Sequence, residues 1–298
     1  QLVAISFLFA QTIRRCNNNP GVTGVNVYTT LQAAHDAAAA GDIIYVEPST
    51  ATYGSLNSIK MLTIIGNGYY NDKNSNAGFD SRTSKVSTIS FNNGSASSIL
   101  MGIEFTTGGS NLSISDINIT VTRCRGIDNI NFGSSGNSRG NNATITKNII
   151  TGIISGSNNA EVTLQRGYNC IITNNIFLGQ GGSTCNNLTN SVLSNNVFRG
   201  SSSLQNLYGC SISNNIFDAR GTNTSIQYVG GVSVGNTISN NICLGPAAIP
   251  SGNGNVDFGD ASNTFLVADP WNSISTQDAQ FQLKAGSPAI GIGIGGTN

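Results

Sequence analysis

The sequence predicts an all-β solenoid, and three observations carry that prediction. A six-residue motif recurs: "ITKNII" at Ile145–Ile150, "ITNNIF" at Ile172–Phe177, "LSNNVF" at Leu193–Phe198, "ISNNIF" at Ile212–Phe217 and "ISNNIC" at Ile238–Cys243. Its second Asn position (Asn148, Asn175, Asn196, Asn215, Asn241) advances by 27, 21, 19 and 26 residues, a period of roughly 20–30 residues that marks solenoid coils. Composition agrees. Only 9% of the 298 residues are charged, 36 are Gly, and Ile, Val and Thr run throughout, which suits short strands joined by tight turns.

Along the chain, "QLVAISFLFAQ" opens without Met and resembles the tail of a secretory signal peptide. It is too short to span a bilayer as a helix. A leader remnant and an N-terminal extension strand are both open readings for 1–21, and both go with export to the outside or the cell surface. A single β-helix domain then fills 22–298. Residues 22–30 predict a strand. The helical stretch is "LQAAHDAAAA", 31–40, with Thr30 as N-cap, Gly41 as stop and Leu31, Ala34 and Ala38 on its apolar face. Strands follow at 42–48 and 61–68. Coils occupy about 42–245, and a Pro- and Gly-bearing segment, 246–298, closes the domain.

The order strand, short helix, "GDIIYVEP", "YG" and "LTIIG" over about 25–70 resembles the N-terminal cap of proteins of the pectin-lyase-like superfamily. "FQLKAGSPAIGIG" (281–293) resembles the segment that ends many secreted members. The resemblance implies a single-stranded right-handed parallel β-helix with a short capping α-helix. It implies no particular activity, because that fold carries several.

Within a copy, strict alternation would put Ile176 and Phe177 on opposite faces. A bend at the Asn pair lets both flanking apolar residues point inward, and Asn tolerates the left-handed backbone this needs. Coils stack ~4.8 Å apart, so Asn148, Asn175, Asn196, Asn215 and Asn241 are predicted to form a side-chain ladder. Ile150, Phe177, Phe198, Phe217 and Cys243 are predicted to stack in the interior. "YNCIITNNIF" and "YGCSISNNIF" align Cys170 with Cys210, with Ser191 in the coil between. Two coils apart is too far for a disulfide, so these thiols are expected free. Cys16 and Cys185 fall outside this phase, which leaves a bridge between them open.

Catalytic chemistry is hard to find. Enzymes on the resembled fold that cleave acidic polysaccharides need a cation for the uronate carboxylate and a base, or clustered carboxylates for hydrolysis. The fourteen acids here are scattered, and neither the paired acids of the hydrolases nor the Arg-x-Pro-x-x-Arg of the lyases is present. The remaining cluster is "TRCRGID": Arg123, Arg125 and Asp128, joined across coils by Arg139, Lys147 and Arg166. Two Arg on one strand face would clamp a sugar carboxylate; the plainer reading pairs them with Glu104 or Glu161. His35, alone in the chain, sits in the cap helix with no nucleophile signature nearby and is expected to be structural or solvent-facing. No cofactor is called for. Asp257 and Asp260 offer oxygens that would suit Ca²⁺, but without the order of an EF-type loop.

These readings predict a non-catalytic extracellular solenoid, structural or adhesive. Self-association through the solenoid ends and the N-terminal strand is its route to fibres. The alternative is a polysaccharide lyase or carbohydrate-binding protein acting on acidic polysaccharide. With zero net charge, nothing draws the chain to nucleic acid or an anionic membrane.

Overall fold

The computed structural model describes residues 11–68, 71, 78, 80–106, 111–133, 140–156, 167–178, 182–199, 202–218, 226–229, 235–244, 247–248, 252–258 and 283–287. The apolar opening segment and much of the closing one lie outside these. The described chain is a parallel β-solenoid with one short helix, built on an 11-stranded and a 17-stranded sheet.

The 11-stranded sheet runs, in spatial order, Val27–Tyr28, Ile13–Cys16, Ile43–Val46, Thr63–Ile65, Ile99–Met101, Thr120–Thr122, Thr144–Thr146, Ile171–Thr173, Val192–Ser194, Ser211–Ser213 and Thr237–Ser239. Every neighbouring pair in it is parallel and free of register shifts. The alternation of side chains along a strand sends the central residue inward: Ile44, Ile64, Leu100, Val121, Ile145, Ile172, Leu193 and Ile212 are all buried. Its two flanking residues face outward.

The motif turns the corner as its sequence suggests. Asn174, Asn195, Asn214 and Asn240 take φ of 58°, 56°, 58° and 55°, and Arg123 and Lys147 occupy the same left-handed slot at 54° and 59°. The residue after each is buried and begins the turn into the longer sheet. A second corner precedes each strand of the shorter sheet, at Asn118, Asn142, Asn169 and Asn190 (φ 60°, 58°, 55° and 48°), with Gly209 and Gly235 in the later coils. Gly126 marks another bend at φ +71°, where an added Cβ would lie 2.4 Å from the Phe105 carbonyl oxygen. Only glycine fits that approach.

The Asn ladder is present and longer than predicted. Asn148 Nδ2 donates to Asn175 Oδ1 (3.1 Å), and the links Asn175–Asn196, Asn196–Asn215, Asn215–Asn241 and Asn241–Asn255 repeat it. Asn255 escapes the sequence pattern because "NGNV" carries Gly254, at φ +75°, in place of the first Asn. Beside the ladder, Ile150, Phe177, Phe198, Phe217 and Cys243 follow one another in register and are buried. The Phe177 and Phe198 rings stack at 4.6 Å, and Phe198 and Phe217 at 4.9 Å.

Two boundaries differ from the sequence reading. Ile13–Cys16, within the stretch 1–21 read as a leader remnant or an N-terminal extension strand, is a full member of the shorter sheet. Arg14 pairs with Asp42 at 3.0 Å and Arg15 with Glu47 at 2.7 Å, while Cys16 is buried. The helix is shorter than 31–40, spanning Leu31–Ala37; Thr30 caps its start through Oγ1, and Lys60 Nζ ends it by donating to the carbonyls of His35, Asp36 and Ala38. A cation there also suits the negative end of the helix dipole. Leu31, Ala34 and His35 are its buried face, laid over the first coils.

Candidate functional site

The Arg cluster does not form a clamp on one strand. Arg123 is an exposed corner residue outside any strand, whereas Arg125 begins the strand Arg125–Phe132 after the turn. Adjacent left-handed and extended residues point side chains to different walls of the solenoid, and sequence spacing alone hides that turn. Arg125 Nη2 lies 3.1 Å from Glu104 Oε2, and the same oxygen accepts from Thr83 Oγ1. Asp128 accepts from Thr151 Oγ1 of the next coil at 2.5 Å. Lys147 is exposed one coil beyond Arg123. Arg139, Glu161 and Arg166 lie outside the described residues.

His35 is buried in the cap, so the solvent-facing alternative is closed. Its Nε2 accepts the backbone N–H of Ile59 at 3.2 Å, which places the ring proton on Nδ1, 3.0 Å from Asp36 Oδ1. Nε2 thus ties the helix to the first coils, while Nδ1 bonds within the helix. The Asp36 carboxyl is held below the ordinary carboxylate range by hydrogen bonds from His35 and Gln32.

All six cysteines are free and buried. The Cys16–Cys185 bridge left open by the sequence does not form: Cys16 lies in an early coil beside Val46, and Cys185 in a later one beside Ile154 and Leu204. Burial pushes the thiols of Cys16, Cys124 and Cys170 up to about 12. Such thiols are core fillers with almost no thiolate. Asp257 lies in strand Val256–Phe258, in register with Cys243, and Asp260 is outside the described residues. Among the described residues no group of three or more His, Cys, Asp or Glu side chains comes together to hold a metal ion, and no helix is long and apolar enough to cross a membrane.

The most regular exposed feature is the outer face of the shorter sheet. From Thr63 to Ser239 its first rank is Thr63, Ile99, Thr120, Thr144, Ile171, Val192, Ser211 and Thr237, and its second is Ile65, Met101, Thr122, Thr146, Thr173, Ser194, Ser213 and Ser239. Between Thr63 and Ser239 no charged residue falls in either rank; before Ile65 the second rank continues as Tyr45 and Arg15, and Arg123 Nη1 at the corner reaches Met101 Sδ at 3.8 Å. Ile99, Ile171 and Val192 are exposed despite their apolar side chains. Sequence reasoning missed this face because its copies were read from the central residue onward. Starting one residue earlier, "TITKN", "IITNN", "VLSNN", "SISNN" and "TISNN" show both ranks at once.

Comparisons of this chain with protein-family models, curated proteins and solved structures found no match.

Proposed function

We propose that this protein is a non-catalytic extracellular solenoid that acts as an adhesive or structural surface, binding through the outer face of its shorter sheet. The observation that carries this reading is the pair of uncharged, in-register Thr/Ser and aliphatic ranks from Thr63 to Ser239. A face of this kind repeats its chemistry at every coil, so weak contacts add over its length to a partner that also repeats. The finer assignment to a right-handed β-helix of the pectin-lyase-like type rests on the resemblance over 25–70.

The lyase alternative draws little support. Its best cation, Arg125, is engaged by Glu104, and its only His holds the cap. Fibre formation through the ends rests on the solenoid geometry alone, and the helix over the first coils counts against the N-terminal end. The test has two arms. Incubation with uronate polymers should produce no ultraviolet absorbance from unsaturated ends; turnover lost in Arg125→Ala would overturn the non-catalytic reading. Pull-down on insoluble repeating solids should retain wild-type protein, and Thr146→Lys, in the middle of the face, should abolish retention.

A further inference from the structure

We infer that the outer face of the shorter sheet binds a solid lattice of water, that is, ice. This rests on the binding role just proposed for the same face and names its partner.

The two ranks form a two-dimensional array. Parallel strands place equivalent residues ~4.8 Å apart along each rank, and the outward positions of one strand lie ~6.6 Å apart. The Asn ladder holds coils to one another through the repeated Nδ2-to-Oδ1 bonds from Asn148 to Asn255. Side-chain ladders of this kind are what keep a many-stranded sheet flat and regular. The register shifts of the solenoid fall in the longer sheet, at Arg125–Phe132 and Gly182–Thr189, and not in this one.

The chemistry of the array selects the partner. Thr173 Oγ1 reaches Thr146 Oγ1 at 3.4 Å along the second rank, whereas the hydroxyls of Thr120, Thr122, Thr144, Ser211 and Ser213 make no bond to the described protein. Exchanging hydroxyl–water for hydroxyl–hydroxyl bonds gains little, so a sugar surface needs aromatic, amide or charged groups as well, and between Thr63 and Ser239 these ranks hold none. Ice asks for the opposite. Ions are excluded from its lattice, and a charge on the face would keep the adjoining water liquid. Hydroxyls held in rank keep their water bonds while fixing water positions. The methyls of Thr, with exposed Ile99, Ile171 and Val192, leave neighbouring water bonded to itself. The spacing along a rank is close to an oxygen repeat of hexagonal ice.

The test grows an ice hemisphere slowly from a dilute solution of the full chain and compares protein in the ice with protein in the liquid. Wild type should enrich in the ice and shape growing crystals under the microscope. Thr146→Lys should fall to the level of serum albumin. Asn57→Lys, an exposed position on the longer sheet, should stay at the wild-type level, with circular dichroism checking both folds. The milder pair Thr146→Val with Thr173→Val keeps shape and methyls and should weaken capture. Wild type excluded from ice like albumin would overturn the inference, as would Thr146→Lys captured as well as wild type. If ice excludes the protein while crystalline cellulose or chitin retains it in a Thr146-dependent way, ice is wrong and the binding face stands. If no face variant changes retention on any solid, both fall.

Discussion

Asn196 Oδ1 accepts two hydrogen bonds from Asn175, the backbone N–H at 2.9 Å and the side-chain Nδ2 at 3.1 Å. Asn196 in turn donates its own Nδ2 to the Ile172 carbonyl at 2.8 Å and to Asn215 Oδ1 at 3.1 Å. One fully buried amide thus closes the corners of three successive coils, and no other side chain offers an acceptor and two donors in that shape.

Asn196→Ala is expected to lower unfolding free energy by about 3 kcal/mol or more, since it strands the buried donors of Asn175 and the Ile172 carbonyl. Asn196→Asp keeps the acceptor but loses the donors and buries a charge, so it should be no better. Urea denaturation followed by circular dichroism checks both. A loss under 1 kcal/mol for Asn196→Ala would show the ladder to be incidental.

The left-handed slot gives a change of opposite sign. Lys147 holds φ +59° where four later coils use Asn, and an ordinary side chain in that region costs about 1–2 kcal/mol. Lys147→Asn should raise stability by about 0.5–1 kcal/mol. Asn195→Val should lower it by about 1–2 kcal/mol. Thermal melts of the two variants decide the matter together.

Phe198 sits between the rings of Phe177 and Phe217 with no exposure. Phe198→Ala should cost about 3–5 kcal/mol, and Phe198→Leu clearly less because the column stays filled. Equal losses would mean that refilling the column recovers nothing, so that ring contact rather than volume carries the stability.

Asp42 gives the pH dependence. Burial raises its pKa, but the backbone N–H groups of Ala39 and Thr12 and the Arg14 guanidinium outweigh that and hold it below the usual carboxylate range. A lowered folded-state pKa means the contribution is complete above the ordinary Asp value and is lost as pH falls through the folded one. Stability of the wild type should therefore drop on acidification from about pH 5 to pH 2. Asp42→Asn should start about 1–3 kcal/mol less stable at neutral pH and fall less over the same range.

The six buried thiols should resist aqueous disulfide reagents in the native protein at pH 8 and titrate fully in denaturant. Rapid native labelling of Cys124 would contradict its burial.

Much of this architecture could be read from the chain. Copies of "ISNNIF" name their own corner, because Asn is among the few side chains that both enter the left-handed region and hydrogen-bond through it. The Phe column followed from the same spacing. Asn255 was hidden by a glycine substituting for the first Asn, and the second corner by residues that share no pair, Asn169 and Gly209 among them. The Arg cluster was misplaced for a related reason. Spacing of two residues implies one face only on a continuous strand, and the chain turns at Arg123.

The sequence by itself determined a parallel solenoid, its Asn ladder, its aromatic column and the free thiols of Cys170 and Cys210, all of which depend on periodic local chemistry. The tertiary structure alone decided what stands beside what across coils. Coils of 27, 21, 19 and 26 residues place partners at irregular separations, so the Arg125–Glu104 pair, the His35–Ile59 contact and the outer Thr/Ser ranks exist only once the coils are stacked. Hydrogen-bond register between parallel strands, a contact between residues distant in sequence, set those neighbours and turned isolated hydroxyls into a surface.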